Sequence, residues 1–387
     1  MRVRKNVKFL SAGEKSNFVK AVLALKTKPS VLHPGDPNLN RYDDYPEIHM
    51  NAMMANPGWA HQRPAFFPWH RALLLEFEND LAAVDPSVTI PYWDWPDAAS
   101  SPFAPDLLGG DGDQADDGKV KTGPFARDGA AHWTLKVNDS ASDPDYLRRS
   151  FGTDATAPAL PSANDVATAL STGSYDSYPW RGFSSGLRGQ VETALHNLVH
   201  RYVGGTMGAM TSPNDPVFWL HHCNIDRLWA DWQRSFPAVA PYLPATGAAL
   251  GHNLMDAMIF SAAPPPPWQG AFTPASVVNH HTLGYMYDDE LVVPALRANL
   301  TFLRILFGVV NDAPGVVIGP DGKPHPVPGG PGDPWAKLSP AERDELVGLA
   351  IHQAAGLISN RGLSQSIQAH AGTLISKATQ NLFRQAM

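Results

Sequence analysis

The sequence predicts a mainly α-helical fold: a four-helix bundle with long loops, few short strands and a helical C-terminal extension. Three observations lead there. Apolar residues recur at helical spacing in separate segments of the first 235 positions. The stretches between them are dominated by Gly, Pro, Ser and Asp, and the chain's 36 prolines and 32 glycines favour loops over extended sheet. Six histidines fall into two triplets, His49, His61, His70 and His196, His200, His222, five of them on or at the head of predicted helices. Imidazoles aimed inward from facing helices are how bundles build core metal sites.

Taken in order, Ser11-Ala12-Gly13-Glu14 is a capping-box sequence and opens a helix to about Leu25. Ile48 to Ala55 reads as a second helix, ended by Asn56-Pro57-Gly58. His70 to Ala83 is a third, with Leu73, Leu74, Phe77 and Leu81 on one face and Asp85-Pro86 as the stop. Val88 to Trp95 is extended or irregular, and residues 97–180 read as long loops. Gln190 to Tyr202 is a fourth helix, closed by Gly204-Gly205. Asp215-Pro216 opens a fifth, to about Trp232. Residues 240–290 return to loops and short strands. The expected domains are 1–290, holding the metal site, and 291–387, an extension with a Pro/Gly-rich linker at about 313–335 and then two helices, the first opened by Ser339-Pro340-Ala341-Glu342.

A net charge of −7 argues against nucleic-acid or anionic-membrane partners. A single cysteine, Cys223, excludes an intrachain disulfide. The N-terminus is basic but lacks the apolar run of a signal peptide. Val292–Val310 comes nearest to a membrane span, and Arg297 and Arg304 interrupt it. The chain as encoded is therefore expected in the cytoplasm.

His196 and His200 stand four apart, so one helix face presents both. His222 follows on the next helix, with Asp226 one turn beyond. No His-Glu-x-x-His occurs, which removes a zincin-type protease. Three imidazoles per site leave an open position on each metal, and all-imidazole ligation suits copper well. Six histidines without cysteine would be unusual for structural zinc.

The local sequences are more specific than the spacing. Phe67-Pro68-Trp69-His70-Arg71, Pro91-Tyr92-Trp93-Asp94-Trp95, Leu195-His196-Asn197 through His200, and Asp215-Pro216 through His222 to Asp226-Arg227 together resemble the tyrosinase and polyphenol oxidase family of type 3 binuclear copper proteins, in its bacterial form. The resemblance covers residues 1 to about 290, and Tyr285-Met286-Tyr287 resembles the aromatic pair that closes the family core. It implies two copper ions, one on His49, His61 and His70, the other on His196, His200 and His222. It implies phenolic substrates and O2, with ortho-hydroxylation of monophenols and oxidation of o-diphenols to o-quinones through a side-on bridging peroxide. Glu192 and Asn197 match the family's pair that readies a water to deprotonate phenol. Arg201 matches a substrate-orienting position. Met207, in the loop after His200, is placed at the substrate. His221 is expected to pack beside His222 without binding copper, and Trp69, Phe218 and Trp219 to wall the pocket. Ala60 stands before His61 where fungal and plant members place a thioether-linked cysteine nearby, so no such link is expected. Related bacterial enzymes leave the cell with a signal-bearing helper, so a copper-delivery or export helper protein is a partner expectation. Competing functions are an o-diphenol-only oxidase, an o-aminophenol oxidase and, more remotely, an oxygen carrier.

Overall fold

The structure is a computed structural model and describes residues 1–290, 316–318 and 324–326. It divides into two compact units, Met1–Tyr287 and Asp288–Met387. The first is helix-rich with a few short strands.

Helix α1 spans Ala12–Leu25. Ser11 accepts from the Glu14 backbone while the Glu14 side chain accepts from the Ser11 backbone, the reciprocal cap that the sequence signals. Its buried residues include Phe18, Val22 and Leu25, and it packs on α3, Phe66–Val84. Helix α2, Asp44–Met54, begins a turn before its expected start, with Pro46 in the first turn, where a missing N–H costs no helical bond. The same holds for α3, which takes in Phe66, Phe67 and Trp69 around Pro68. Those rings are fully buried or nearly so, and burying a large side chain contributes about 1.5–3 kcal/mol, enough to draw the chain into helix.

Helix α4, Ala163–Leu170, lies in the region read as loop, and Ser162 and Asp165 cap it reciprocally. The fourth predicted helix is composite: α5, Leu187–Gly189, runs into a π-helical segment, Gln190–His196, and then into α6, Asn197–Val203. Helix α7, Val217–Ser235, buries Phe218, Trp219, Leu220, Ile225, Leu228 and Trp232. A short α8, Pro274–Val277, follows.

Strand β1, Arg2–Arg4, pairs parallel with β4, Tyr285–Tyr287, and β2, Gly112–Asp113, pairs antiparallel with β3, Lys119–Val120. The β1–β4 pairing sets Arg4 opposite Tyr287 and under helices α3 and α7. Arg4, fully buried, donates to both oxygens of Glu78 on α3 at 3.0 and 3.1 Å and to Asp226 on α7 at 3.2 Å. Asp226 also accepts from Arg71, Tyr285 and Tyr287. Buried charges of this kind are tolerated only when every partner is present. Arg71 follows His70, and Asp226 lies one turn after His222, so this network clamps together the two helices that carry one histidine of each triplet.

In the second unit β5, Val316–Ile318, pairs antiparallel with β6, Pro324–Pro326, inside the stretch expected to be a linker or an irregular loop. The β-branched Val-Val-Ile run favours a strand, and the intervening Gly319-Pro320-Asp321-Gly322 is turn sequence. The helices expected after residue 335 and the apolar run Val292–Val310 lie outside the described residues.

Candidate metal centre

His49 comes from α2, His70 from α3 and His61 from the loop between them. The Nδ1 of His49 donates to the Met210 carbonyl at 2.6 Å, and that of His70 to the Phe66 carbonyl at 2.7 Å. With the ring proton held there, each Nε2 keeps a bare lone pair, and among the described residues both buried Nε2 atoms have no hydrogen-bond partner. The His61 ring centroid lies 5.0 Å from His49 and 4.9 Å from His70. One ring nitrogen of each of the three falls within 4.8 Å of the others.

The second triplet is built the same way. His200 Nδ1 donates to the Met207 carbonyl at 2.6 Å, and His196 Nδ1 to Asn197 Oδ1 at 2.8 Å. Their Nε2 atoms converge on the His222 Nε2 at 3.5 and 3.2 Å. The His222 ring is held between Phe218, stacked at 4.0 Å, and His70, stacked at 4.3 Å. The His70–His222 stack and the 5.8 Å approach of His61 to His196 set the two triplets face to face.

Burial drives all six imidazoles towards the neutral form. His49 and His200 are lowered to about 4, and His61, His70, His196 and His222 fall well below the usual range. Neutral, buried, lone-pair-bearing nitrogens in two close sets form an array of metal donors. Three nitrogen donors per set, with no carboxylate or thiolate among them, fit copper and leave room for oxygen.

His221 joins the second set as a fourth imidazole within ligand distance, fully buried and, among the described residues, with no hydrogen-bond partner for either ring nitrogen. It stacks on His196 at 5.2 Å and tilts against Trp95. His222 brings its Nε2 to 3.2 and 3.5 Å from those of His196 and His200, and this close convergence favours His222 as the ligand.

The π-helical segment ends at His196, and its wide turn closes with the Asn197 N–H on the Glu192 carbonyl. π-turns inside helices recur at functional sites. Glu192 is buried. It accepts from the Gln62 backbone N–H with one oxygen and from Arg188 at 3.1 Å with the other. Burial pushes its carboxyl up to about 7, against the opposing pull of Arg188 and Gln62. Arg188 is itself gripped by both oxygens of Asp176 at 3.0 Å. Gln62 follows His61 at a φ of 54°, a left-handed conformation that a non-glycine residue keeps only when held. Glu192 holds its N–H, and the Gly182 N–H holds its carbonyl at 2.9 Å.

Arg201 is exposed on α6, and its charge acts on Asp154. Met207 is buried in the core at 1% exposure, and what it gives the site is its carbonyl. Trp69 and Phe218 do wall the histidines. Trp219 does not: it stacks on Phe77 at 3.6 Å, because the residue after Phe218 on a helix faces about 100° away. Phe66 takes that place, 5.0 Å from His70 and 5.1 Å from His196. Cys223 is buried and its thiol pushed upward by that burial, an inert core residue.

The family model described as the common central domain of tyrosinase matches residues 39–235. The chain is similar to a tyrosinase of Streptomyces glaucescens, 42% identical over 302 residues that cover 75% of this chain and all of that protein. It is similar to grixazone synthase of Streptomyces griseus subsp. griseus, 35% identical over 327 residues, again 75% of this chain and all of the relative. A solved polyphenol oxidase from Thermothelomyces thermophila, in a mutant form, has a similar fold, with a TM-score of 0.53 at 24% identity, covering 74% of this chain and 88% of that one. The histidine sets and these matches agree, and the chain belongs to the tyrosinase family, as a copper-dependent oxidoreductase with a binuclear centre.

Proposed function

We propose that the chain oxidises phenols with O2, both by ortho-hydroxylating monophenols and by oxidising o-diphenols to o-quinones. The supporting observation is the pair of facing three-imidazole sets with the buried carboxyl of Glu192 beside them. His49, His61 and His70 would hold one copper and His196, His200 and His222 the other. Copper, when bound, supplies the exchange of electrons with O2 and the phenol. The four histidine-bearing helices α2, α3, α6 and α7 are read as the bundle around it.

The chain's own residues do the rest. The carbonyls of Met210, Phe66 and Met207 and the amide oxygen of Asn197 hold the ring protons at Nδ1. Phe66, Trp69 and Phe218 exclude water and offer flat apolar surface to an aromatic ring. Glu192, with the amide of Asn197, receives the proton of an incoming phenol. A carboxyl near 7 is half ionised at neutral pH, the poise that proton transfer favours. Arg201 is assigned to anionic groups on larger substrates.

Oxygen uptake by the copper-loaded protein on tyramine and dopamine tests this. Uptake on both, with a lag on tyramine that a trace of dopamine removes, is the expected result. Uptake on dopamine alone would make the chain an o-diphenol oxidase. The grip of Arg188 and Gln62 on Glu192 favours that second reading, because it competes with the phenol for the same carboxylate.

A further inference from the structure

We propose that Met50, Met53 and Met54 form a thioether site on α2 that accepts Cu(I) and passes it to the first histidine triplet. The proposal rests on the copper reading above and adds an intake site outside the six histidines.

Three of the chain's ten methionines fall within five consecutive residues at the C-terminal end of α2. Spacings of three and four place Met50, Met53 and Met54 on neighbouring positions of one helix surface, their Cβ atoms about 5–6 Å apart. That surface is open. Met54 is 64% exposed, Met53 40%, and Met50 half-buried. The same helix buries Tyr45, Ile48 and Ala52, so its apolar packing face is complete without the methionines.

His49 belongs to this helix too. Met53 stands four residues after it, one turn along on the same side. The helix therefore carries an exposed thioether and a buried imidazole of the first triplet one turn apart along its axis. His61, the loop histidine of the first triplet, is half-buried, as is His200 of the second.

The donor chemistry selects the cargo. Thioether sulfur is soft and uncharged, so it favours Cu(I) over Zn²⁺, Mg²⁺ or Ca²⁺. The helix's own carboxylates are engaged elsewhere: Asp44 with Arg41 and Ser30, Glu47 with His33. The transfer needs no change of oxidation state. The sulfurs release the ion to the imidazoles, which bind it more tightly as a three-nitrogen set.

The test uses full-length protein stripped of copper by a chelator. Anaerobic uptake of Cu(I) from its bicinchoninate complex is followed by loss of the complex's colour. The triple variant M50L/M53L/M54L keeps shape and hydrophobicity and loses only sulfur. It should load at least ten-fold more slowly, end with the same two coppers per chain, and melt at the wild-type temperature. Ag(I), a redox-inert stand-in, should shift the methyl resonances of these three methionines at the first additions. Uptake at the wild-type rate by the triple variant would overturn the proposal, as would unshifted methyl signals. A final content below two coppers would put the methionines in the resident centre and overturn it too. Wild-type protein that takes up no copper at all would overturn the copper reading itself.

Discussion

The two histidine triplets differ in what holds them. The second is anchored by helices alone: His196 ends the π-helical segment, His200 lies on α6, and His222 on α7 is sandwiched between two rings. The first takes His61 from a loop, and that loop is held by hydrogen bonds. Gln62 is tied to Glu192, Glu192 to Arg188, and Arg188 to Asp176. Packing positions one histidine set; a relay of polar contacts positions one histidine of the other. The same carboxyl that is assigned to the substrate's proton therefore also holds a ligand loop in place. On the proposed function, chemistry and assembly would be coupled at Glu192.

The largest effect should come from the clamp beneath both sets. Asp226→Asn leaves Arg4 and Arg71 buried without their full countercharge, and breaking such a network costs about 3–5 kcal/mol. At about 2–4 °C per kcal/mol for a domain of this size the melting temperature should fall by roughly 6–20 °C, by calorimetry of the copper-free protein. An unchanged melting curve would mean the clamp contributes no stability. Next comes the asymmetry itself. Arg188→Gln should weaken copper binding at the first centre alone, by up to about 10-fold, since Arg188 acts on His61 only through Glu192 and Gln62 and losing a ligand's direct partner costs about 10–100-fold. Metal analysis during chelator titration should then show one copper leaving early and one late. Simultaneous loss would remove the distinction drawn between the two sets.

A smaller effect concerns pH. Glu192 is raised by burial to about 7, so it is protonated below that and ionised above. Its proton must be gone before it can receive another. Monophenol kcat/KM should therefore rise with pH through about 7, and Glu192→Gln should abolish that limb while dopamine oxidation persists. The linkage to stability has the opposite sense. The folded value lies above the unfolded 4.5, so this group favours the fold most below pH 4.5 and loses that contribution as pH climbs through 7. The smallest effect is a control. Ser162→Ala removes the α4 cap, costs about 1 kcal/mol, and should leave copper retention at both centres untouched.

Much of the architecture is legible because it is written in local spacing. His196 and His200 share a helix surface, Ser11 and Glu14 cap α1, and Pro216 marks the start of α7. The Ser162–Asp165 cap of α4 is equally local, yet it hides among loop residues because one short helix there buries little apolar surface. The acceptors that orient His49, His70 and His200 are backbone carbonyls, which carry no residue-type signature. Trp219 departs from its expected place because motif membership does not say which side of the helix a residue faces. Strand β1 gives no signal, since a three-residue strand whose partner lies at the far end of the unit is invisible in any window of sequence.

That pairing has a consequence for how the protein is made. Arg4 reaches Tyr287 across 283 positions of chain. At about 5–20 residues per second, a ribosome that has placed residue 4 needs roughly 15–60 s more to deliver its partner. Until then Asp226 lacks Tyr285 and Tyr287, and the clamp on the helix bearing His222 is incomplete. The complete clamp beneath both histidine sets therefore forms only after the whole first unit has been synthesised.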